Sequence, residues 1–575
     1  MIRLVSTTNK IQKKILNFTN KYQSFFRGSF ISLSSITVLS CGQDTESTEA
    51  LDVSYDTNID FDNSDQITLF PFFPRDYQPP IDTFPKAAGI EMLFNLHLPE
   101  YSHPYWVDAL VMDQLNLHIE PVINKYGRVI NFAFPDEQPS YDHFGLVGWK
   151  AATQEMQAAA RLIFSQVEQV INVRFEEIDT PLGYNTISIA RSEQSSTAGL
   201  SYFPNFAYEI GMDVFISERF DNPKYIGGNV TNYDYEVILH EIGHALGLKH
   251  PFVSDGDNQI ILTDFELKSN ITAMSYDKNA DFHDGVFRPL DWLALTKIYG
   301  VNENFNSQDN TYVFSDETAI FIVDGAGNDT IDAIQQNHDV HIDLRQGSHS
   351  FSKNKSDFIS SPNQLTVSHG STIENVKTGN GNDTIIGNEQ DNLITSGDGD
   401  DIIYAGEGAD VIYLAAGSNK LDLSEEVQSI DTIYISKYLD QEPENTVYLF
   451  EQGITGDIIN LSEFNFDLLE ILPVVSSLNV PLSTISNGVC RLFGDELESA
   501  FKLKTALLSD EEFGSMELIE NSQAIVITAS SQAEGDTQKL FYASDMNGTL
   551  SVTKLAIFEG GTMDLDTWHS DNFLI

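Results

Sequence analysis

A nine-residue repeat constrains this chain more than any other feature. Residues 378–422 read Thr-Gly-Asn-Gly-Asn-Asp-Thr-Ile-Ile386, a degenerate 387–395, Ser-Gly-Asp-Gly-Asp-Asp-Ile-Ile-Tyr404, Ala-Gly-Glu-Gly-Ala-Asp-Val-Ile-Tyr413 and a fading fifth copy. Ile385, Ile394, Ile403, Ile412 and Leu421 stay in register throughout. Such a pattern predicts a solenoid of short parallel strands whose aliphatic residue fills the interior. The glycines permit tight turns with carbonyls facing a cation, and the aspartates add charge. Without calcium those aspartates would repel. Successive units alternate sides, so turns two units apart are expected to share an ion. The best-formed site is expected between Gly379, Gly381 and Asp383 on one turn and Gly397, Gly399 and Asp401 on another. Gln390 and Asn392 replace the expected glycine and aspartate, so the opposite side, with Gly406, Gly408 and Asp410, is expected to bind more weakly. An isolated copy runs Asp324-Gly-Ala-Gly-Asn-Asp329-Thr-Ile-Asp332, which adds Asp329 to the calcium candidates.

A second constellation lies upstream, where residues 240–250 read His-Glu-Ile-Gly-His-Ala-Leu-Gly-Leu-Lys-His. His240 and His244 are one helical turn apart, so both imidazoles leave one face and can share a metal. Gly247 falls where the helix should end, and glycine tolerates the positive φ that turns the chain back. That return would bring in His250 as third ligand. Three protein ligands leave one position open for water, the mark of a catalytic zinc rather than a structural one. Glu241 is the expected base for that water.

Together with Ser269-Asn-Ile-Thr-Ala-Met-Ser-Tyr276, this motif resembles the metzincin zinc proteases, and within them the serralysin type. Trp106-Val-Asp-Ala-Leu110, the strand 130–134 and Asp291-Trp-Leu-Ala-Leu-Thr-Lys-Ile-Tyr-Gly300 match in order. The resemblance implies that Met274 forms an apolar floor beneath the zinc. It implies that Tyr276 ligates zinc at rest and stabilises the oxyanion during catalysis. It also implies that the strand at 198–203 binds extended substrate by edge pairing. The segment 251–269 is short, and Asp277 stands where serralysins often carry an aromatic residue, which leaves substrate preference open. The nonapeptides resemble RTX β-rolls, and Asp329 matches the first such turn of serralysins. Residues 456–464 and the terminal Asp571-Asn-Phe-Leu-Ile575 resemble the end domain and secretion signal of RTX proteins, which implies a type I secretion apparatus as partner.

The expected fold class is α+β and multidomain. A signal segment (1–41) and an acidic tether (42–85) precede a metzincin catalytic domain (86–304). A parallel β-roll (305–425) and an all-β C-terminal region (426–575) follow. Within the catalytic domain, patterning predicts a helix over 152–170 and strands near 129–134, 173–178 and 186–190. Basic residues up to Arg27, the apolar run from Phe30 and Val38-Leu-Ser-Cys41 read as a signal with a lipobox, which makes Cys41 a candidate for lipidation and membrane attachment. The signal and type I routes conflict, but both lead to the cell surface or exterior, including an outer-membrane lipoprotein. A formal charge of −53, from 85 acidic and 32 basic residues, opposes nucleic-acid binding and favours cations. Two cysteines, Cys41 and Cys490, provide no disulfide framework, and Cys490 is expected to be a small buried residue. The expected function is a monomeric zinc endopeptidase acting on protein substrates, with one catalytic zinc and several structural calcium ions. The alternative is a calcium-stiffened surface adhesin or scaffold with an inactive metzincin domain.

Overall fold

The computed structural model describes residues 38–42, 105–112, 126–141, 146–181, 185–204, 210–227, 230–255, 258–276, 285–425 and 427–435, and beyond these the strands and short segments between 445 and 574. The signal-like residues 1–37, the acidic stretch 43–85, Asp277, Asp571 and Ile575 lie outside the described residues. The chain divides into two compact units, with the boundary after Phe305.

The first unit is built on a seven-stranded sheet. Its strands are β1 (Val38–Gly42), β2 (Val129–Ala133), β3 (Lys150–Ala151), β4 (Arg174–Glu177), β5 (Thr186–Ser192), β6 (Thr197–Tyr202) and β7 (Val214–Ser217). The order is β1-β6-β7-β5-β2-β4, with β3 on β5. The β7-β5-β2-β4 part is parallel, whereas β6 runs antiparallel to both β7 and β1. A hairpin of β8 (Tyr225–Gly227) and β9 (Val230–Thr231) stands apart from it.

Among the described residues four α-helices accompany these strands: α1 (Tyr105–Asp108), α2 (Gln154–Val170), α3 (Tyr233–Ala245) and α4 (Pro289–Tyr299). Helix α2 begins where Thr153 caps the Met156 amide, and it buries Met156, Ala159, Ala160, Ile163, Phe164, Val167 and Val170. Helix α3 starts at the Asn232 cap and is buried from Val237 through Ala245. An apolar surround is why its polar groups need specific partners.

The second unit is a two-sheet roll. On one sheet, strands at Asn375–Lys377, Leu393–Thr395, Val411–Leu414, Thr432–Ile435 and Ile458–Asn460 stack in parallel. On the other, Thr384–Ile386, Ile402–Tyr404, Lys420–Asp422 and Asn445–Tyr448 do the same. Alternate nonapeptides therefore feed opposite sheets. The in-register residues Ile385, Ile394, Ile403, Ile412 and Leu421 are fully buried in one cluster. Gly397 shows why the turns demand glycine: its φ is +73°, and a β-carbon there would meet the Gly379 carbonyl oxygen at 1.9 Å. Among the described residues past Phe305 there is no α-helix. The later strands Gln523–Ala529, Gln538–Met546 and Thr549–Glu559 form an antiparallel set joined to the roll through Asn445–Tyr448. Cys490 lies in a strand, Gly488–Phe493, beside Val526.

Candidate metal centres

Helix α3 presents His240 and His244 from one face, and their rings meet edge to face with centroids 4.7 Å apart. After Leu246 the chain reverses at Gly247, whose φ is +103°, and the Leu248 amide returns to the Gly243 carbonyl. That reversal delivers His250. Its Nε2 lies 3.1 Å from Nε2 of both His240 and His244. Three nitrogens held about 2.0–2.1 Å from one tetrahedral ion stand roughly 3.3 Å apart, so the spacing fits a shared zinc.

The hydrogen-bond pattern strengthens that fit. His240 Nδ1 is 2.8 Å from the Ala273 carbonyl, and His244 Nδ1 is 2.6 Å from the Leu248 carbonyl. A carbonyl only accepts, so each Nδ1 carries the hydrogen and each Nε2 keeps its lone pair for a metal. Burial pushes His240 down to about 4, and it drives His244 and His250 well below the ordinary histidine range, helped by the neighbouring rings. Neutral imidazole is the ligand form.

Met274 is fully buried, and its sulfur lies 2.7 Å from where a Gly243 β-carbon would be. Glycine at 243 is thus what lets the methionine turn approach α3. Tyr276 places its hydroxyl 2.8 Å from His250 Nε2, and Phe252 stacks on the His250 ring at 5.1 Å. His240, His244, His250, Met274 and Tyr276, all singled out in the sequence, therefore converge, and Glu241 follows His240 on the same helix.

Sequence reasoning missed three others. Gly199 of β6 is so close to Glu241 that a β-carbon there would fall 2.5 Å from the carboxylate, so β6 forms one wall beside a fully buried Glu241. Asp291 at the start of α4 accepts from the Thr272 hydroxyl and from the Ala273 and Arg288 amides. Because the Ala273 carbonyl receives His240, this carboxylate steadies the ligand through one residue, Ala273. Lys249 is buried and donates to the carbonyls of Ala109, Val253 and Ile260, tying the loop after His250 to α1's end. Burial lowers its ammonium to about 8. All three lay in singled-out segments, Asp291 in 291–300, Gly199 in the 198–203 strand and Lys249 in the 240–250 motif, but nothing marked any of them for a role of its own.

Strand β1 lies along β6, pairing Val38 with Tyr202, Leu39 with Ser201, Ser40 with Leu200 and Gly42 with Thr197. Cys41 falls at the register shift, opposite the 198–199 stretch that walls Glu241. The edge expected to receive extended peptide thus carries the chain's own residues 38–42.

In the roll, the expected calcium turns stack as the repeat requires. Asp383 donates its amide to Asp401 Oδ1, and Asn380 bridges Asp398 between the two turns. Oδ2 of Asp329, Asp383, Asp401 and Asp410 is buried with no hydrogen-bond partner. Such atoms are costly unless a cation meets them. Burial pushes Asp329 up to about 7 and Asp401 up to about 8. Gly406 and Gly408 adopt φ of +106° and +104° over the carbonyls of Asn388 and Gln390.

Residues 377–412 match the RTX calcium-binding nonapeptide repeat in four copies. The chain is 29% identical over 282 residues to Metallopeptidase AprA of Pseudomonas marginalis, covering 44% of this chain and 57% of that protein. It is 29% identical over 287 residues to a Serralysin of Photorhabdus sp. (strain Az29), covering 45% and 58%. With Serralysin A of Dickeya chrysanthemi it shares 30% identity over 319 residues, covering 50% and 64%. The chain thus spans about three fifths of the length of these curated relatives.

Two outcomes follow. Asp291→Ala should weaken zinc binding by about tenfold or more, as loss of an outer-shell partner does, measured by competition with a chromogenic chelator. Unchanged affinity would leave Asp291 no role in positioning His240. For the roll, the folded carboxyls hold protons more tightly than the unfolded ones, so their stabilisation is full below about pH 4 and lost as pH rises through about 8. In chelator, melting temperature should therefore fall between about pH 5 and about pH 8, and saturating calcium should abolish the fall; a flat profile in chelator would contradict it.

Proposed function

From a chain that is a relative of the serralysin-type metalloproteases and carries RTX calcium-binding repeats, we propose a zinc-dependent endopeptidase stabilised by calcium. The observation that carries this reading is the convergence of three histidine Nε2 atoms, with His240 and His244 oriented by carbonyls at Nδ1, beside a buried carboxylate and strand β6. His240, His244 and His250 would hold the zinc, with Tyr276 in reach as a further ligand. When bound, that ion polarises a peptide carbonyl and acidifies water.

The remaining work belongs to the chain. Glu241 takes a proton from the attacking water and returns it to the leaving amine. Its burial behind β6 strengthens that exchange by excluding bulk solvent. Tyr276 donates a hydrogen bond where negative charge develops on the former carbonyl oxygen. Strand β6 aligns an extended peptide through main-chain hydrogen bonds, which suits protein substrates of varied sequence. Met274 and Gly247 act structurally, one as floor and the other as the turn that returns His250.

Residues 38–42 hold the same edge, so they act as a resident competitor until displaced or removed. A signal cut before Cys41 would take away Val38, Leu39 and Ser40, three of the four paired residues. Lipid on Cys41 would then tie the enzyme to the outer surface of a bacterial cell, and the C-terminal region would serve type I export. We assign the working location to the cell surface or exterior, where calcium is plentiful enough to fill the roll. The domain limits of the sequence reading, 86–304, 305–425 and 426–575, are proposed with it.

Glu241→Gln should retain zinc and lose casein hydrolysis by about 10²–10⁴-fold in kcat/KM. A wild-type protein that binds zinc and calcium yet cleaves nothing would instead favour the scaffold reading. Removing residues 1–42 should lower KM for a peptide substrate by about tenfold or more, as for loss of a tethered competitor at millimolar effective concentration. Equal KM values with and without the segment would show that β1 does not compete.

A further inference from the structure

The two sides of the roll carry vertical columns of side chains at the turns, and the columns differ chemically. On one side the Val340 amide donates to Asp383, Asp383 to Asp401, Asp401 to Asn419 and Asn419 to Asn445. The upper rungs there are amides, and they satisfy one another: Asn419 Nδ2 donates to Asn445 Oδ1, and Asn445 Nδ2 to the Leu555 carbonyl. That column ends neutral.

The other column runs the opposite way. Asn392 is an amide whose Nδ2 donates to the Glu374 carbonyl. Above it the rungs are carboxylates: the Asn392 amide donates to Asp410 Oδ1 at 2.7 Å, Asp410 to Asp431 Oδ1 at 2.8 Å, and Asp431 to Asp457 Oδ1 at 3.0 Å. All three are buried. The repeat match stops at residue 412, and Ser424-Glu-Glu-Val-Gln-Ser-Ile-Asp431 contains no glycine. The rung spacing also changes, from 18 residues below Asp410 to 21 above it. Consensus reading therefore ends one turn too early.

We propose that a calcium ion is held between the turn ending in Asp410 and the glycine-free turn ending in Asp431, with these two aspartates as its carboxylate ligands. Asp410 Oδ2 is fully buried and has no hydrogen-bond partner, although Oδ1 is used in the ladder. A donorless carboxylate oxygen at a buried turn is the ligand atom of a hard cation. The upper turn is fastened over the lower one: Ser429 Oγ donates to the Gly408 carbonyl at 2.6 Å, and the Val427 amide to Glu407. Burial first, and then the negative charge of Asp431, push the Asp410 carboxyl up to about 10, with Glu425 and Asp391 adding to the repulsion. A divalent cation relieves burial and repulsion together, which a single proton does less well. The side of the roll expected to be weaker thus gains a site above the repeats, because asparagine at 392 neutralises only the rung beneath.

The test uses the full chain, dialysed against excess calcium and counted for bound metal by atomic emission. Asp431→Asn keeps the Oδ1 acceptor of the ladder and removes the charge. It should bind one calcium fewer per chain than wild type, with zinc content unchanged. Asp410→Asn should lose at least that ion, which covers the case in which the first variant is not recovered folded. The proposal is overturned if Asp431→Asn, or Asp410→Asn in its place, holds as many calcium ions as wild type. A variant that keeps the count and merely melts higher in chelator would mean that Asp431 is a repulsive rung relieved by protonation.

Discussion

Buried lone pairs without donors are the constraint on which both units turn. At the candidate zinc centre, His250 Nε2 faces Nε2 of His240 and of His244 at 3.1 Å, and the latter two nitrogens carry lone pairs because their Nδ1 atoms hold the hydrogens. In the roll, Oδ2 of Asp329, Asp383, Asp401 and Asp410 is likewise buried and donorless. A cation meets such lone pairs at either place. The excess of acidic over basic residues, giving −53 overall, favours cations as partners.

The two units prepare their lone pairs by different means. At His240 and His244 each Nδ1 is tied to a carbonyl, and one of those carbonyls belongs to the methionine turn that Asp291 grips from behind. Orientation thus comes from three separate chain segments meeting at one helix. In the roll, a single local device repeats: one aspartate oxygen accepts an amide from the next rung, leaving the other oxygen for the ion. Where asparagine replaces aspartate, the second atom becomes a donor and finds a carbonyl. One substitution thereby changes a rung from ion-seeking to self-sufficient.

This difference governs how much was legible in the sequence. His240, Glu241 and His244 lie within one helical turn, and the nonapeptides carry their turn, charge and core residue within nine positions, so short-range periodicity disclosed them. The helix at Gln154–Val170 and the reversal at Gly247 were legible for the same reason. Gly199 was not, since its need for a missing side chain arises only when β6 meets α3. Lys249 was silent within its motif, since its role arises only where the fold encloses it with three carbonyls. Asp431 was hidden by the three-residue change in rung spacing and the loss of glycine. Nor could patterning foresee that residues 38–42 would pair with β6, because strand pairing across such a separation leaves no local mark.

The alternation of sheets in the roll has a mechanical consequence. Nine residues is the visible period, but Asp383 is answered by Asp401, and Asn392 by Asp410, eighteen residues on. Loss of one nonapeptide would exchange left for right in everything downstream, setting amide rungs against carboxylate rungs and moving each strand to the opposite sheet. Loss of two would only shorten the stack. The roll therefore has the grammar of a staircase with paired treads, lengthening or shrinking without rewiring only in steps of two.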